Sequence, residues 1–327
     1  MRKWTVYILL VVCLSSCGQA NGNKQGTDSL RYDTVVSHPV DSLAYAYLKS
    51  GNVKSGSGDE LGAIAEYNKA IEIDSLYMLA YYNRGLSKSK IGDNQGAIDD
   101  YTKAIQINPQ DYKTYYNRGL IKSKLGDNKG AIVDYSKAIQ INPQYIKAYF
   151  NRGNCKSRLG DNKGAINDYN KAIKLSPQDI VVYINRGNCK SDLGDNKGAI
   201  NDYNKAIELA PQNIDAYINL GVAQYATRDY EGEIATYRLA IKNCSPDADL
   251  YNNLGRALYD LKRFKEAAEA YGEGIKAFPS DGKLYYGRGL ARNQSGDKNG
   301  ACEDWHRSSE LGCLQANALL PLCGEKE

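Results

Sequence analysis

The residues able to do chemistry fall into two groups: a few isolated ones and several that recur at a fixed step. Only two histidines occur, His38 and His306. Neither lies in a cluster with metal-ligand spacing, so no metal site is expected. The segment Gly126-Asp127-Asn128-Lys129-Gly130-Ala131 is rich in glycine. It lacks the Gly-Lys-Ser/Thr ending of a phosphate loop, and no Gly-x-Ser-x-Gly elbow is present. Neither enzyme activity nor a cofactor is expected from such a chain. The recurring residues carry the interest. Arg84, Arg118, Arg152, Arg186 and Arg288 are each followed sixteen residues on by Asp100, Asp134, Asp168, Asp202 and Asp304. Where Leu220 and Leu254 stand at the arginine place, Thr236 and Ala270 stand at the aspartate place. Charges that come and go together imply an Arg–Asp bridge that fixes geometry more than it adds stability. Anion binding by the arginines is the alternative. A second set, Asn83, Asn117, Asn151, Asn185, Asn219 and Asn253, presents amides in step, each able to donate and to accept.

The step is thirty-four residues. Asn83 to Pro109 reads NRGLSKSKIGDNQGAIDDYTKAIQINP, and Asn117 to Pro143 reads NRGLIKSKLGDNKGAIVDYSKAIQINP. A period of this length means stacked supersecondary units. Each unit reads as two helices, such as Lys113 to Leu125 and Gly130 to Ile141. Gly126 can take the left-handed conformation that closes the first, Asp127 can cap the second, and Pro143 follows its end. Gly51 and every thirty-fourth residue through Gly289 are glycine, facing a small column of Ala63, Ala97, Ala131, Ala165, Ala199, Ala267 and Ala301. Tyrosines from Tyr47 to Tyr285 on the first helices, and from Tyr67 to Tyr271 with Trp305 on the second, supply the large partners. Small against large fixes one packing. Lys69, Lys103, Lys137, Lys171 and Lys205 form an outward column expected to face water.

This pattern resembles the tetratricopeptide repeat family over eight units. It implies an all-α fold, a right-handed superhelical α-solenoid, with units at 44–77, 78–111, 112–145, 146–179, 180–213, 214–247, 248–281 and 282–315. The departures are Glu233 for an alanine, Gly274 and Ser308 for a later one, Ser75, Ser245 and Cys313 for the proline, and Arg228 and Lys262 for the turn glycine. The resemblance also implies that first helices line a concave groove. The asparagine column then becomes a ladder for an extended peptide backbone, with a packing role as the plainer reading. Tyr82, Tyr116 and Phe150 add aromatic contact. Lys90, Lys113, Lys124, Lys147 and Arg158 make the early groove basic, and Asp215, Asp249 and Asp260 make the later part acidic. A partner segment with acidic residues or a free carboxylate near Lys113 and Lys147 is the expectation. Partners are expected to be proteins or peptides. The net charge of +4 is too small to ask for nucleic acid.

Residues 1–17 read as a targeting segment. Arg2 and Lys3 precede an apolar run too short to span a bilayer. The ending Leu14-Ser15-Ser16-Cys17 resembles the lipobox of bacterial lipoproteins, which implies cleavage before Cys17 and a lipid on it. Lipid would then be the only membrane anchor, in the cell envelope of a Gram-negative cell, at the outer membrane and facing the periplasm. Residues 18–43 read as a tether reaching roughly 25–30 Å. Asp28-Ser29-Leu30, Asp33-Thr34-Val35 and Asp41-Ser42-Leu43 within it resemble a bacterial O-glycosylation acceptor, or are simply polar linker. Residues 316–327 read as a cap, with a helix over Asn317 to Cys323. Of the eight cysteines, Cys155 and Cys189 share one place in adjacent units and are expected to be small core residues. In an oxidising compartment, a Cys302–Cys323 disulfide would staple the cap, with Cys313 as the competing partner.

Overall fold

The computed structural model describes residues 40–323. Among these residues the secondary structure is helical throughout, with seventeen α-helices and a short 3-10 turn. The helices come in antiparallel pairs: α1 (Ser42–Gly56) with α2 (Glu60–Ile73), α3 (Met78–Lys90) with α4 (Asn94–Ile107), α5 (Tyr112–Lys124) with α6 (Asn128–Ile141), and α7 (Ile146–Arg158) with α8 (Asn162–Leu175). The order continues with α9 (Ile180–Asp192) and α10 (Asn196–Leu209), α11 (Ile214–Ala226) and α12 (Tyr230–Asn243), α13 (Ala248–Asp260) and α14 (Phe264–Ala277), and α15 (Gly282–Gln294) and α16 (Lys298–Glu310). The cap is α17 (Leu314–Asn317) and the 3-10 turn η1 (Leu320–Cys323). None of the described helices is long and apolar enough to cross a membrane.

Local chemistry sets each pair. Gly126 holds φ at +87°, the left-handed value that ends α5 without steric cost. The Asp127 carboxylate then accepts the backbone N–H of Gly130 at 2.8 Å, capping α6. The same device recurs at Asp59, Asp93, Asp161, Asp195, Asp229 and Asp297. In the seventh pair Arg263 replaces the aspartate and Glu266 replaces the glycine it caps. Their side chains close an ion pair instead, with Arg263 Nε donating to Glu266 Oε1 at 2.7 Å. Arg228 and Lys262 occupy the left-handed turn position with φ of 63° and 61°.

Packing follows the small and large columns. A Cβ on Gly153 would lie 2.7 Å from Cε1 of Tyr169, so the ring rests on bare backbone. Ala63, Ala97, Ala131, Ala165 and Ala199 are fully buried beside such rings. Cys155 and Cys189 are buried free thiols in the core. Each second helix packs between its own first helix and the next one, and first helices also touch across units, as α5 with α7, α7 with α9 and α13 with α15. First helices therefore form the inner wall of the stack.

The cap differs from the single helix expected over Asn317 to Cys323. It is one α-turn followed by a 3-10 turn. Pro321 has no N–H to donate and its ring clashes in a helix interior, so an α-helix cannot run through it. Ala316 is nonetheless fully buried against Ala301 and Trp305. Cys302 and Cys323 are joined by a disulfide with Cα atoms 5.5 Å apart. Cys313 remains a free thiol.

Candidate functional site

The asparagines of the inner wall are half-buried and wired into it. Asn117 Nδ2 donates to the Tyr82 hydroxyl at 2.9 Å and Asn151 Nδ2 to the Tyr116 hydroxyl at 3.0 Å. Where Leu48, Phe150 and Ile184 replace that tyrosine, the donor turns to another amide one turn further along. Asn83 reaches Asn52 Oδ1 at 2.9 Å, Asn185 reaches Asn154 at 3.1 Å and Asn219 reaches Asn188 at 3.3 Å. Those acceptors also take the hydroxyls of Tyr67, Tyr169 and Tyr203. Asn253 makes no such bond among the described residues, for its column neighbours are Ile218 and Val222. Each engaged amide keeps a second N–H and a carbonyl oxygen for a ligand. Burial and the Asn151 contact act in opposite senses on Tyr116, and burial wins, pushing its hydroxyl up to about 12.

The Arg–Asp column is present in every unit that carries it. Arg84, Arg118, Arg152, Arg186 and Arg288 donate through Nε to their aspartates at 2.8–3.0 Å. A second cation, Lys88, Lys122, Lys156, Lys190 or Arg292, reaches the same carboxylate at 2.8–2.9 Å. The free guanidinium nitrogen of Arg84, Arg118, Arg152 and Arg186 bonds back to Asn68, Thr102, Ser136 and Asn170 of the preceding unit. These arginines join one unit to the next, and their donors are taken. In these four units that leaves the anion-binding alternative without a free fork.

Lys147 is exposed, and Lys113 lies over the Tyr112 ring at 6.0 Å. Lys90 is tied to Glu60 at 2.6 Å, which removes part of the positive charge expected of the early wall. Asp215, Asp249 and Asp260 are exposed further along. Between α13 and α15 the wall opens into a pocket of about 400 Å³ that the sequence reading did not foresee. Its signal was present: Gly287 stands in the asparagine column and Arg256 follows Asn253 where other units have Leu86, Leu120 or Asn154. Behind Arg256 lies Glu233, fully buried, at 3.4 Å. Burial raises its carboxyl to about 7, against the pull of Arg256. Among the described residues no group of His, Cys, Asp and Glu is arranged to hold a metal. Cys17 lies outside the described residues.

A helix pair repeated at this step, closed by glycine and capped by aspartate, is the architecture of one class of interaction module. Tetratricopeptide repeat models match residues 79–111, 112–145, 146–179, 248–281 and 44–75, and a TPR repeat model matches 191–227. Together they cover more than half of the chain, which belongs to the tetratricopeptide repeat family. No curated protein matches it. Among solved structures it is similar to the MamA protein, at 26% identity and a TM-score of 0.50, over 51% of this chain and 91% of that one. It is also similar in fold to a tetratricopeptide repeat protein from Parabacteroides merdae, at 17% identity and a TM-score of 0.54, over 86% of this chain and 99% of that one.

Proposed function

We propose that the chain is a lipid-anchored scaffold of the cell envelope that holds extended segments of partner proteins along its inner wall. Tetratricopeptide repeat proteins bind proteins or peptides, and this chain has the surface for it. The observation that carries the reading is the column of half-buried amides on first helices that touch across units, each with hydrogen-bonding capacity left over. The mechanism is binding without bond making: backbone groups of the segment pair with the amides, and Lys113 and Lys147 attract its acidic residues. The anchor at Cys17, the envelope location and the periplasmic face rest on the leader sequence alone. A photo-crosslinking residue at Asn151, in intact cells and read by mass spectrometry, tests the wall. Capture of a discrete partner supports it, and capture of nothing removes it. Lys113→Glu with Lys147→Glu is expected to abolish capture.

A second reading is that of a structural spacer whose outer face matters. It is favoured by the bonds that five of the six asparagines already make within the wall. Glutamate at Lys103 and Lys171, both exposed on second helices, separates the two readings. A spacer loses function with these changes and keeps it with the wall changes.

A further inference from the structure

The asparagine column runs through the seventh unit and breaks at the eighth. Gly287 there takes the place of the asparagine, and a Cβ on it would lie 2.4 Å from Cε1 of Tyr271. That ring therefore packs directly on the bare backbone of Gly287, and beside this contact a pocket of about 400 Å³ opens. This is the size of small ligand pockets, roughly 300–1,000 Å³. Its sides are aromatic and aliphatic: Tyr259, Tyr271, Tyr286 and Leu290. The rings are held from behind. Tyr259 meets Phe264 edge-on at 5.2 Å, and Tyr286 packs on the cluster of Trp305 and Ala301. Preset rings lose little entropy when a ligand arrives.

The rim charges sort themselves. Arg256 donates to the buried Glu233 at 3.4 Å, lies over the Tyr225 ring at 5.8 Å and also attracts Asp260 one turn further along α13. Lys283, near the start of α15, and Asp260, the last residue of α13, make no ion pair among the described residues. Successive first helices run parallel, so these two lie toward opposite ends of the pocket. One end offers the Lys283 cation, the other the Asp260 carboxylate, partly offset by Arg256 one turn before it, with rings between.

We propose that this pocket is an anchor site for one large aromatic side chain of a partner segment, flanked on one side by an acidic residue facing Lys283 and on the other by a basic residue facing Asp260. A buried aromatic anchor supplies most of the energy in such contacts, and flanking charges supply orientation. The site rests on the reading of the inner wall as a segment-binding surface, and adds to it the chemistry of what is bound at the far end.

The test uses the full chain with methyl-labelled leucines and a blocked peptide probe of the order glycine, glutamate, glycine, tryptophan, glycine, lysine, glycine. The expected result is a ring-current shift of the Leu290 methyls with no change at Leu120. The same probe with alanine for tryptophan binds about tenfold or more weakly. Probes with two glutamates or two lysines around the tryptophan bind more weakly than the mixed one. Gly287→Asn forces the Tyr271 ring off the backbone and into the pocket, and is expected to remove the shift. Because that change presses on Tyr271, Lys283→Glu serves as the second variant: the fold is kept, and preference moves to the probe with two lysines. A silent Leu290, or equal binding of the tryptophan and alanine probes, overturns the anchor. Crosslinking at Asn151 that succeeds while Leu290 stays silent leaves the wall reading and removes only the anchor. A responsive Leu290 with an empty Asn151 does the reverse.

Discussion

Glu233 is the residue most at odds with its surroundings. Seven other units place alanine there, and the fully buried carboxyl has one long contact to Arg256 and, among the described residues, an Oε2 with no partner. Burial is the first cause of its raised pKa, near 7; Arg256 opposes and Asp260 adds to it. The folded state therefore holds the proton more tightly than the unfolded chain, whose carboxyl titrates near the ordinary value. Stability from this group is complete below that ordinary value and is lost as pH rises through about 7. The shifts that lower Glu60 and Glu66 act at more acid pH and do not overlap this window. Melting curves between pH 5 and pH 8 are expected to lose on the order of 3 kcal/mol. Glu233→Ala restores the column residue, and is expected to flatten that slope and to be the more stable protein at pH 8. An unchanged slope assigns the effect elsewhere. The Arg–Asp column makes a second claim at this scale. Asp168 gathers Arg152 and Lys156, and Arg152 carries on to Ser136 of the unit before. A double-mutant cycle on Arg152 and Asp168, read by urea unfolding, is expected to show about 1–3 kcal/mol of coupling. Additive single changes would mean the pair is decoration.

Helix pairs depend on two kinds of glycine, and each makes its own prediction. Gly153 gives Tyr169 a bare surface, so Gly153→Leu is expected to cost about 1–3 kcal/mol by overpacking, seen as an earlier urea midpoint. Arg228 and Lys262 sit in the left-handed region that costs an L-residue roughly 1–2 kcal/mol. Arg228→Gly and Lys262→Gly are each expected to move the midpoint later by about 1 kcal/mol or less, since glycine also frees the unfolded chain. At this scale the sequence was legible where a position and its partner are both columns. Gly153 with Tyr169, Asp127 with Gly130 and Arg152 with Asp168 keep fixed separations, so their contacts could be read from spacing. What spacing does not carry is choice among several reachable partners. The register placed Asn117 and Asn185 identically, yet one bonds to a tyrosine and the other to an amide because Tyr82 and Phe150 differ in one hydroxyl. Nor did the register flag the consequence of a missing side chain at Gly287, since the pocket there belongs to the space between two units. The Arg263–Glu266 pair was hidden for a related reason: two departures that look like separate losses form one ion pair where the other units have a capping aspartate and its glycine.

Across the whole stack, stability is a sum of unit terms and nearest-neighbour contacts, so the two ends decide where opening begins. They are not alike. At the start, Val53 is 68% exposed and Ala46 is exposed, although the same columns are buried in every later unit, as at Cys155 and Ala148. At the other end Ala316 lies on Ala301 and Trp305, and the Cys302–Cys323 bond holds the covering turn in place. Closing a loop of this separation removes unfolded-state entropy worth about 3 kcal/mol in the chain-entropy model. Hydrogen exchange should therefore read out a gradient, with α1 and α2 exchanging first, α7 to α12 last and α16 well protected for a terminal unit. Reduction of the disulfide is expected to bring α16 and η1 down towards the level of α1 while leaving α7 to α10 unmoved, because each unit feels only its neighbours. A uniform loss of protection along the chain on reduction would show that the stack opens as one body, and the additive picture of units would fail. Equal protection of α1 and α16 in the oxidised protein would show that the exposed columns of the first unit are covered in solution.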